Sequence, residues 1–308
     1  MGVDVGATKT RAILFDAGEV VSMARAPTSR EGPEAVVDQI VKLSRKVDPD
    51  GHARTLGVGV AGVVSGGGTV VAASNLVGWS VPVELGAMLR RCTPSYVSII
   101  NDATASTLAE HQWGNGRGFD DFFAVAVGTG VGGGLVLDGQ LRVGPHGVTG
   151  EIGHTLIDPE GPACACGQRG HLEAYLGRRA LERRARSVES TGRTSLLFDM
   201  AGAGRMTSEH WRKASEQGDA VALELLEDAA RALAVALSNV LAIVDFERVV
   251  VAGGFVSRLG DRWLDTVRER HAPSGVAGVS AEILGSGIGD NAAAIGAALS
   301  CDVKRANR

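Results

Sequence analysis

The sequence predicts an α/β protein of two similar lobes with a cleft between them. Two glycine-rich turns, Asp4–Thr10 and Val127–Gly134, lie far apart in the chain, each between stretches typical of β-strands. In both places the second strand runs into an Asp-containing turn, Asp16–Gly18 in one and Asp138–Gly139 in the other, which indicates an internal duplication. The 308 residues are enough for two domains, each with its own core.

The first half of the chain predicts a three-strand meander followed by alternating helices and strands. Pro33 favours a helix start, because proline is tolerated in the first helical turn. Strands are predicted where β-branched residues alternate or cluster. In order, the predicted elements are strands Val3–Val5, Thr10–Phe15 and Val20–Ala24, helix Glu34–Lys46, strands Thr55–Val60 and Val97–Ile100, and helix Ala103–His111.

The second half predicts the same opening and then becomes largely helical. Strand Phe122–Val127, the turn Gly128–Gly134 and strand Leu135–Leu137 come first; helical composition follows over Gly177–Val244. We predict one long buried helix at Asp219–Val244, a strand and third glycine turn within Arg248–Phe255, and a closing helix at Asp290–Leu299. We expect a small N-terminal lobe of residues 1–115 plus 289–308 and a large C-terminal lobe of residues 116–288 that contains the segment 150–173, whose pattern is described below.

Composition excludes several classes of protein. The net charge of −4 and a pI near 6.0 argue against a nucleic-acid-binding protein. No segment resembles a signal peptide or reaches the length of a membrane helix, so we expect a cytoplasmic protein without membrane contact. The four cysteines do not resemble a disulfide framework. A cluster of arginines favours a solvated helix face over an anion site: Arg178, Arg179, Arg183, Arg184 and Arg186.

The two glycine turns are candidate phosphate-binding loops, because glycine lets backbone N–H groups approach an anion closely. The first offers the Asp4 carboxylate for a hydrated Mg²⁺ and donors for phosphate oxygens at Gly6, Thr8 and Lys9. An ordinary hairpin explains this turn equally well. For the second, Gly128–Thr129–Gly130 and the glycines after it, we favour phosphate contact over a strained bend.

The dipeptide Asn101–Asp102 lies at the end of a predicted buried strand and before a predicted helix. A carboxylate at that point can accept the proton of a hydroxyl that attacks a γ-phosphate. The alternative is that Asp102 only caps the helix N-terminus. The dipeptide does not decide between the two.

The segment from Gly150 to Glu173 has the most specific pattern. His154, Cys164, Cys166 and His171 supply two imidazoles and two thiols, enough for a closed tetrahedral Zn²⁺ site, which we favour over a reduced cysteine pair. We expect this zinc to be structural. Glu151 and Glu173 lack metal-like spacing and can accept hydrogen bonds from a polyhydroxylated ligand.

These motifs together resemble the ROK family of bacterial sugar kinases. The pattern G-E-I-G-H, then C-x-C-G-x-x-G, then a glutamate two positions after the last ligand is the specific part, and the resemblance covers nearly the whole chain. It implies a two-lobed actin/hexokinase-like (ribonuclease H-like) fold and ATP-dependent transfer of the γ-phosphate to the 6-hydroxyl of glucose or a related hexose. N-acetylmannosamine and N-acetylglucosamine are alternative substrates, and family members are often homodimers.

The resemblance also implies roles for individual residues. Asp102 is the general base, and the nucleotide's adenosine lies near Gly253 and Gly254. The residues implied in phosphate binding are Gly6, Thr8, Gly128, Thr129 and Gly130. The residues implied in sugar binding are Gly62, Asn75, Asn101, Glu151, His154 and Glu173, with His154 also a zinc ligand.

Three positions depart from the family pattern. His171 replaces the usual third cysteine, Thr104 replaces an asparagine two positions after the base, and Leu176 stands where a serine often precedes Gly177. These departures leave room for a non-catalytic sugar-binding protein. A sugar-responsive repressor, also known in the family, is disfavoured, because little chain precedes Asp4 for a DNA-binding segment.

Overall fold

The computed structural model describes residues 1–73, 75–271 and 278–306, so the last two residues of the predicted small lobe and residues 272–277 of the large lobe lie outside it. The strands, in chain order, are β1 (Gly2–Val5), β2 (Lys9–Asp16), β3 (Glu19–Pro27), β4 (Thr55–Val60), β5 (Val63–Ser65), β6 (Thr69–Ala72), β7 (Tyr96–Asn101), β8 (Phe122–Val127), β9 (Val131–Leu137), β10 (Gln140–Arg142), β11 (Arg248–Ala252) and β12 (Glu282–Gly285).

The helices cluster in the second half of the chain, as the composition predicts. In order they are α1 (Pro33–Val47), α2 (Leu85–Cys92), α3 (Asp102–Trp113), α4 (Leu172–Leu176), α5 (Arg178–Glu189), α6 (Leu196–Ala201), α7 (Ser208–Glu216), α8 (Ala220–Val244), α9 (Gly254–Leu259), α10 (Asp261–His271) and α11 (Ala292–Ala306). Within the described ranges, no helix combines the length and apolarity that a bilayer crossing requires.

The first sheet has the strand order β3-β2-β1-β4-β7. Strands β1, β2 and β3 form the predicted antiparallel meander, whereas β4 and β7 run parallel to β1. The register aligns Val5, Val60 and Asn101 in one row across the three parallel strands. The carboxyl ends of these strands therefore meet at one edge of the sheet.

Helix α11 packs closely on the first sheet because two of its strands have glycines beneath it. A Cβ on Gly2 or Gly57 would overlap backbone carbonyls of α11, and a Cβ on Gly296 of α11 would overlap the carbonyl of Ala105 in α3. Helix α3, which begins at Asp102, is thus held against α11 and the sheet. This packing fixes the position of the α3 N-terminus.

The second sheet repeats the order of the first. Its strand order is β10-β9-β8-β11-β12. When the strands of each sheet are numbered from one to five in chain order, both sheets have the order 3-2-1-4-5. Strand β11 runs parallel to both β8 and β12, and β10 pairs antiparallel with β9. The same topology in both sheets supports the duplication that the repeated glycine turns indicate.

The chain divides into two compact units. The first comprises Met1–Asp120, Gly134–Gly150 and Asp290–Arg308, and the second comprises Asp121–Gly133 and Glu151–Gly289. Segment 134–150 groups with the first unit, whereas the sequence-based division assigns it to the large lobe. That division into lobes at residues 115 and 289 stays a prediction.

The predicted turn Gly128–Gly134 is wrong in its second half, because β9 begins at Val131 and contains three glycines. One of them has a packing reason: a Cβ on Gly134 would overlap the side chain of Thr107 in α3. Close helix–strand packing, rather than a turn, therefore explains that glycine. The closing helix also begins at Ala292, two residues later than predicted.

Candidate functional site

The first unit brings several predicted residues together at the carboxyl edge of its sheet. Asp4 lies near the end of β1, and Asn101 ends β7 in the row that includes Val5. Asp102 begins α3 directly after that strand. Because parallel strands end at the same edge, two carboxyl groups converge there from separate parts of the sequence.

The first glycine turn is a tight connection between β1 and β2. The N–H of Gly6 donates to the carbonyl of Lys9 at 3.1 Å, and the hydroxyl of Thr28 donates to the carbonyl of Gly6 at 2.7 Å. Thr8 is exposed at the tip, and Lys9 is half-buried. Thr28 thus fixes the turn from behind and leaves the tip open to a ligand.

Asn101, rather than Asp102, caps helix α3. Its Oδ1 accepts from the N–H of Thr104 at 2.9 Å and lies 3.2 Å from the Thr104 hydroxyl, while its Nδ2 donates to the carbonyl of Gly62 at 3.1 Å. The interpretation of Asp102 as the N-cap is therefore wrong. Asp102 is the first helical residue, and its Oδ1 accepts from the N–H of Ala103 at 2.9 Å.

The electrostatics of this edge favour protonated carboxyl groups. Burial, reinforced by the negative charge of Asp102, raises the pKa of Asp4 to about 7, against the opposing effect of Arg11. Burial also raises the pKa of Asp102, although the hydrogen bond from Ala103 opposes the shift. A carboxyl group with a raised pKa next to a second one is typical of sites for acid–base chemistry.

Arg11 belongs to this edge, although no pattern in the sequence indicates it. It pairs with Asp4 across β1 and β2, is almost fully buried, and donates to Oδ1 of Asn291 at 2.8 Å and to the carbonyl of Asp290. In a strand whose residues alternate between buried and exposed, a charged residue at a buried position would be recognisable from the sequence. Strand β2 is buried at both Arg11 and its neighbours Thr10 and Ala12, so no alternation marks Arg11.

Gly62 and Asn75, two predicted sugar-binding positions, also lie in the first unit. A Cβ on Gly62 would overlap the carbonyl of Ala72, so this loop needs glycine for its approach to β6. Asn75 is exposed in the turn after β6, where the N–H of Leu76 donates to the carbonyl of Ala73 at 2.9 Å. The contact of Asn101 with Gly62 connects this loop to the α3 N-terminus.

In the second unit, the turn Gly128–Gly130 and Gly253 lie at one edge of the second sheet. The N–H of Gly128 donates to the carbonyl of Gly130 at 2.9 Å, and Gly128 is exposed. Gly253, with φ of 114°, follows β11, and a Cβ there would overlap the carbonyl of Val127. Only glycine satisfies both conditions. Gly254 then begins α9.

The predicted acidic residues of the second unit have different surroundings. Glu151 precedes a short 3₁₀ turn over Ile152–His154, and its carbonyl accepts from the N–H of His154 at 3.0 Å. Glu173, in the first turn of α4, accepts from the N–H of Val131 at 2.9 Å through Oε2. Glu173 therefore contacts the residue that directly follows the glycine turn.

The four predicted zinc ligands gather at one point. One ligand atom from each of His154, Cys164, Cys166 and His171 lies within 4.8 Å of the others. The two histidine Nδ1 atoms are 3.4 Å apart, and Nδ1 of His171 lies 3.2 Å from Sγ of Cys166. Tetrahedral zinc with ordinary bond lengths separates its ligands by about 3.3–3.8 Å. The donor set therefore fits a zinc ion, and these two separations lie close to this range.

The arginines at the start of α5 have separate surroundings. Arg184 pairs with Asp228 at 2.6 Å, and Arg186 pairs with Glu189 at 2.7 Å. Arg179 and Arg183 are exposed, and both line a shallow concavity together with Arg186 and Arg205. The ion pairs and exposure support the solvated interpretation for these side chains.

Comparison with known proteins identifies the family to which this fold belongs. The family model for the ROK family matches residues 1–302. Curated relatives include a glucokinase of Thermotoga maritima, 33% identical over 274 residues (88% of this chain, 86% of the relative), and an N-acetylmannosamine kinase of Escherichia coli O1:K1, 34% identical over 256 residues (82% of each).

Solved structures agree with the sequence comparison. A ROK family glucokinase from Streptomyces griseus, solved in complex with glucose and AMPPNP, has a TM-score of 0.84 and 31% identity over 97% of both chains. A ROK hexokinase from Thermus thermophilus has the same TM-score at 28% identity, with 100% of this chain and 99% of that chain covered. The predicted duplicated, actin/hexokinase-like fold is confirmed. The chain belongs to the ROK family.

Proposed function

We propose that the protein is an ATP-dependent hexose kinase that phosphorylates the 6-hydroxyl of glucose or a closely related hexose. The observation that supports this most directly is the pair of carboxyl groups, Asp4 and Asp102, at the carboxyl edge of the first sheet. The similarity to glucokinases, one of them solved with glucose and AMPPNP, supports the substrate and the donor.

In this mechanism Asp102 is the general base. It accepts the proton of the sugar hydroxyl as the oxygen attacks the γ-phosphorus. Burial raises its pKa above that of an ordinary aspartate, which makes its carboxylate a stronger base towards the hydroxyl proton. The capped N-terminus of α3 and the packing of α3 against α11 hold the carboxylate in place.

In each unit, the glycine turn is the proposed phosphate-binding element. Exposed Thr8 and the Gly6 turn in the first unit, and the turn Gly128–Thr129–Gly130 in the second, offer hydroxyl and backbone N–H donors, among them the N–H groups of Thr129 and Gly130. Asp4 in its ionised form, with Lys9 nearby, would hold a hydrated Mg²⁺ that neutralises the phosphate charge. Gly253 and Gly254 leave room for the adenosine.

The sugar is oriented by amide, carboxylate and imidazole groups. Asn101 and Asn75 in the first unit, and Glu151, His154 and Glu173 in the second, are the proposed contacts, with Gly62 in the adjoining loop. An N-acetylmannosamine kinase is about as similar to this chain in sequence as the glucokinases are. N-acetylmannosamine, and with it N-acetylglucosamine, therefore stay alternative substrates.

The zinc site is proposed to be structural. Nδ1 of His154 is directed at the other ligands, so its Nε2 is left to donate to a sugar oxygen. Zinc bound at Nδ1 would fix the tautomer that carries the proton on Nε2. His171 in place of the family's cysteine fits the same geometry. A homodimer and a cytoplasmic location stay predictions.

A coupled assay of ADP formation across glucose, mannose, N-acetylmannosamine and N-acetylglucosamine tests the function. We expect ATP-dependent turnover with at least one of these sugars, and NMR of the product should show phosphate on the 6-oxygen. Sugar binding without turnover would instead support the non-catalytic alternative. No binding and no turnover would contradict both.

A further inference from the structure

Glu173 contacts the turn Gly128–Gly130, the proposed phosphate-binding turn of the second unit, which is called the phosphate turn below. Its proposed role in sugar binding does not require this contact. Its Oε2 accepts from the N–H of Val131, the first residue after Gly128–Gly130, at 2.9 Å. A Cβ added to Gly130 would overlap Oε2, and the three atoms nearest to that added Cβ all belong to the Glu173 carboxylate. The carboxylate is therefore packed against the turn as well as hydrogen-bonded to it.

Two backbone hydrogen bonds attach the same helical segment to the turn. Beyond Gly177, the N–H groups of Arg178 and Arg179 donate to the carbonyls of Gly128 and Thr129 at 3.2 and 3.3 Å. With both carbonyls engaged by α5, they point away from a ligand. The N–H groups of Thr129 and Gly130 are then left for an anion, because a trans peptide unit directs its N–H and C=O to opposite sides, whereas the N–H of Gly128 is engaged by the carbonyl of Gly130.

This segment also adjoins the zinc ligands. Helix α4 begins after His171, and the N–H of Leu172 donates to the carbonyl of Thr155 at 3.0 Å. On the other side, a Cβ on Gly153, next to His154, would overlap the carbonyl of Val131. The metal-ligand cluster and the phosphate turn are thus in contact with the same short stretch of chain.

We propose that Glu173 is a positioning residue for the nucleotide: through Oε2 it holds Val131 and thereby the phosphate turn in the conformation that binds the donor's phosphates. This inference rests on the proposed kinase function and adds a role that is independent of the sugar. A carboxylate that only contacts sugar would affect hexose affinity alone. A carboxylate that shapes the turn affects nucleotide affinity even when no hexose is present.

The test is the affinity of Mg²⁺·AMPPNP without hexose, measured by calorimetry on the full chain. We expect Glu173→Ala to weaken binding at least about tenfold. Glu173→Gln should stay within about threefold of wild type, since its side-chain oxygen still accepts from Val131. The matched control Glu269→Ala, an exposed carboxylate of α10 in the same unit, should bind as wild type does.

Wild-type nucleotide affinity in a folded Glu173→Ala variant would overturn the proposal while leaving the kinase function intact. A wild-type chain that binds no nucleotide would overturn both. Melting temperature and zinc content establish that each variant is folded. In the kinase assay, the proposal expects a raised KM for ATP in Glu173→Ala and its rescue in Glu173→Gln.

A second variant approaches the contact from the turn. Gly130 does not have a positive φ, so Gly130→Ala is opposed by the Glu173 side chain rather than by backbone strain. We expect Gly130→Ala to weaken Mg²⁺·AMPPNP binding several-fold, and to do so much less in a Glu173→Ala background. Equal losses in the two backgrounds would contradict the proposal.

Discussion

The negative charge of Asp102 adds to the rise in the pKa of Asp4 that burial causes, although the two residues are far apart in the sequence. Strand β1 positions one and the N-terminus of α3 positions the other, because β1, β4 and β7 end in a common row. The proposed function assigns them different tasks, Mg²⁺ and phosphate for Asp4 and the sugar hydroxyl for Asp102. Their repulsion is relieved when a cation or a proton is bound.

Asp4 makes stability depend on pH. Its pKa is about 7 in the folded chain and near the ordinary 3.9 when unfolded. Between those values the folded state holds a proton that the unfolded state has lost, so stability falls as pH rises from about 4 to 7. Urea unfolding without Mg²⁺ should show this slope, reduced in Asp4→Asn by up to about 1.4 kcal/mol per pH unit.

The matched control for this prediction is Asp16→Asn, an exposed aspartate at the end of β2. It should keep the wild-type slope. A slope in Asp4→Asn that equals that of wild type over the same range would show that Asp4 ionises as an ordinary carboxylate.

Asn101 stabilises the α3 N-terminus with both ends of its amide. Asn101→Ala removes the acceptor for Thr104 and the donor to Gly62, and should lower the free energy of unfolding by about 1–3 kcal/mol. Asn101→Asp keeps the acceptor and should recover part of the loss, while Thr104→Val should cost less than about 1 kcal/mol. The midpoints of urea unfolding measure these differences in stability. An Asn101→Ala variant as stable as wild type would contradict the role of Asn101 as the N-cap.

Zinc should be present at one ion per chain. We expect Cys164→Ser to lose the metal and to lower Tm by roughly 5 °C or more, given about 2–4 °C per kcal/mol for domains of this size. His171→Cys should keep the metal, because it restores the family's usual ligand. Elemental analysis and thermal unfolding measure both effects.

Cys92→Ser is the control for the zinc prediction, since Cys92 is exposed in the first unit and outside the ligand cluster. It should leave metal content and Tm unchanged. Purified wild-type protein without zinc, and with the same Tm before and after added zinc, would contradict a structural metal at this cluster.

Local signals predicted much of the fold. Strands Thr55–Val60 and Phe122–Val127 end where the β-branched and aromatic pattern ends. The long helix begins at Ala220, one residue after its predicted start at Asp219, which caps it. The glycines of β9 misled the prediction, because their cause is tertiary: Gly134 makes room for Thr107 of α3, which no local pattern records.

The candidate site was predictable only where residue type itself indicates chemistry. The four candidate zinc ligands were predicted from their side chains and spacing, and the structure brings them together. The cap could not be assigned, because Asn101 and Asp102 are both good N-cap residues and only the helix start separates them. Arg11 and the contact of Glu173 with Val131 depend on partners distant in sequence.

The most direct test of the central claim is kcat of Asp102→Asn with saturating ATP and the best hexose. The substitution preserves shape and removes the base, so kcat should fall at least about 100-fold, as is usual for loss of a general base. Hexose affinity, measured separately, should stay within about threefold. A variant that kept more than a third of the wild-type kcat would contradict Asp102 as the general base.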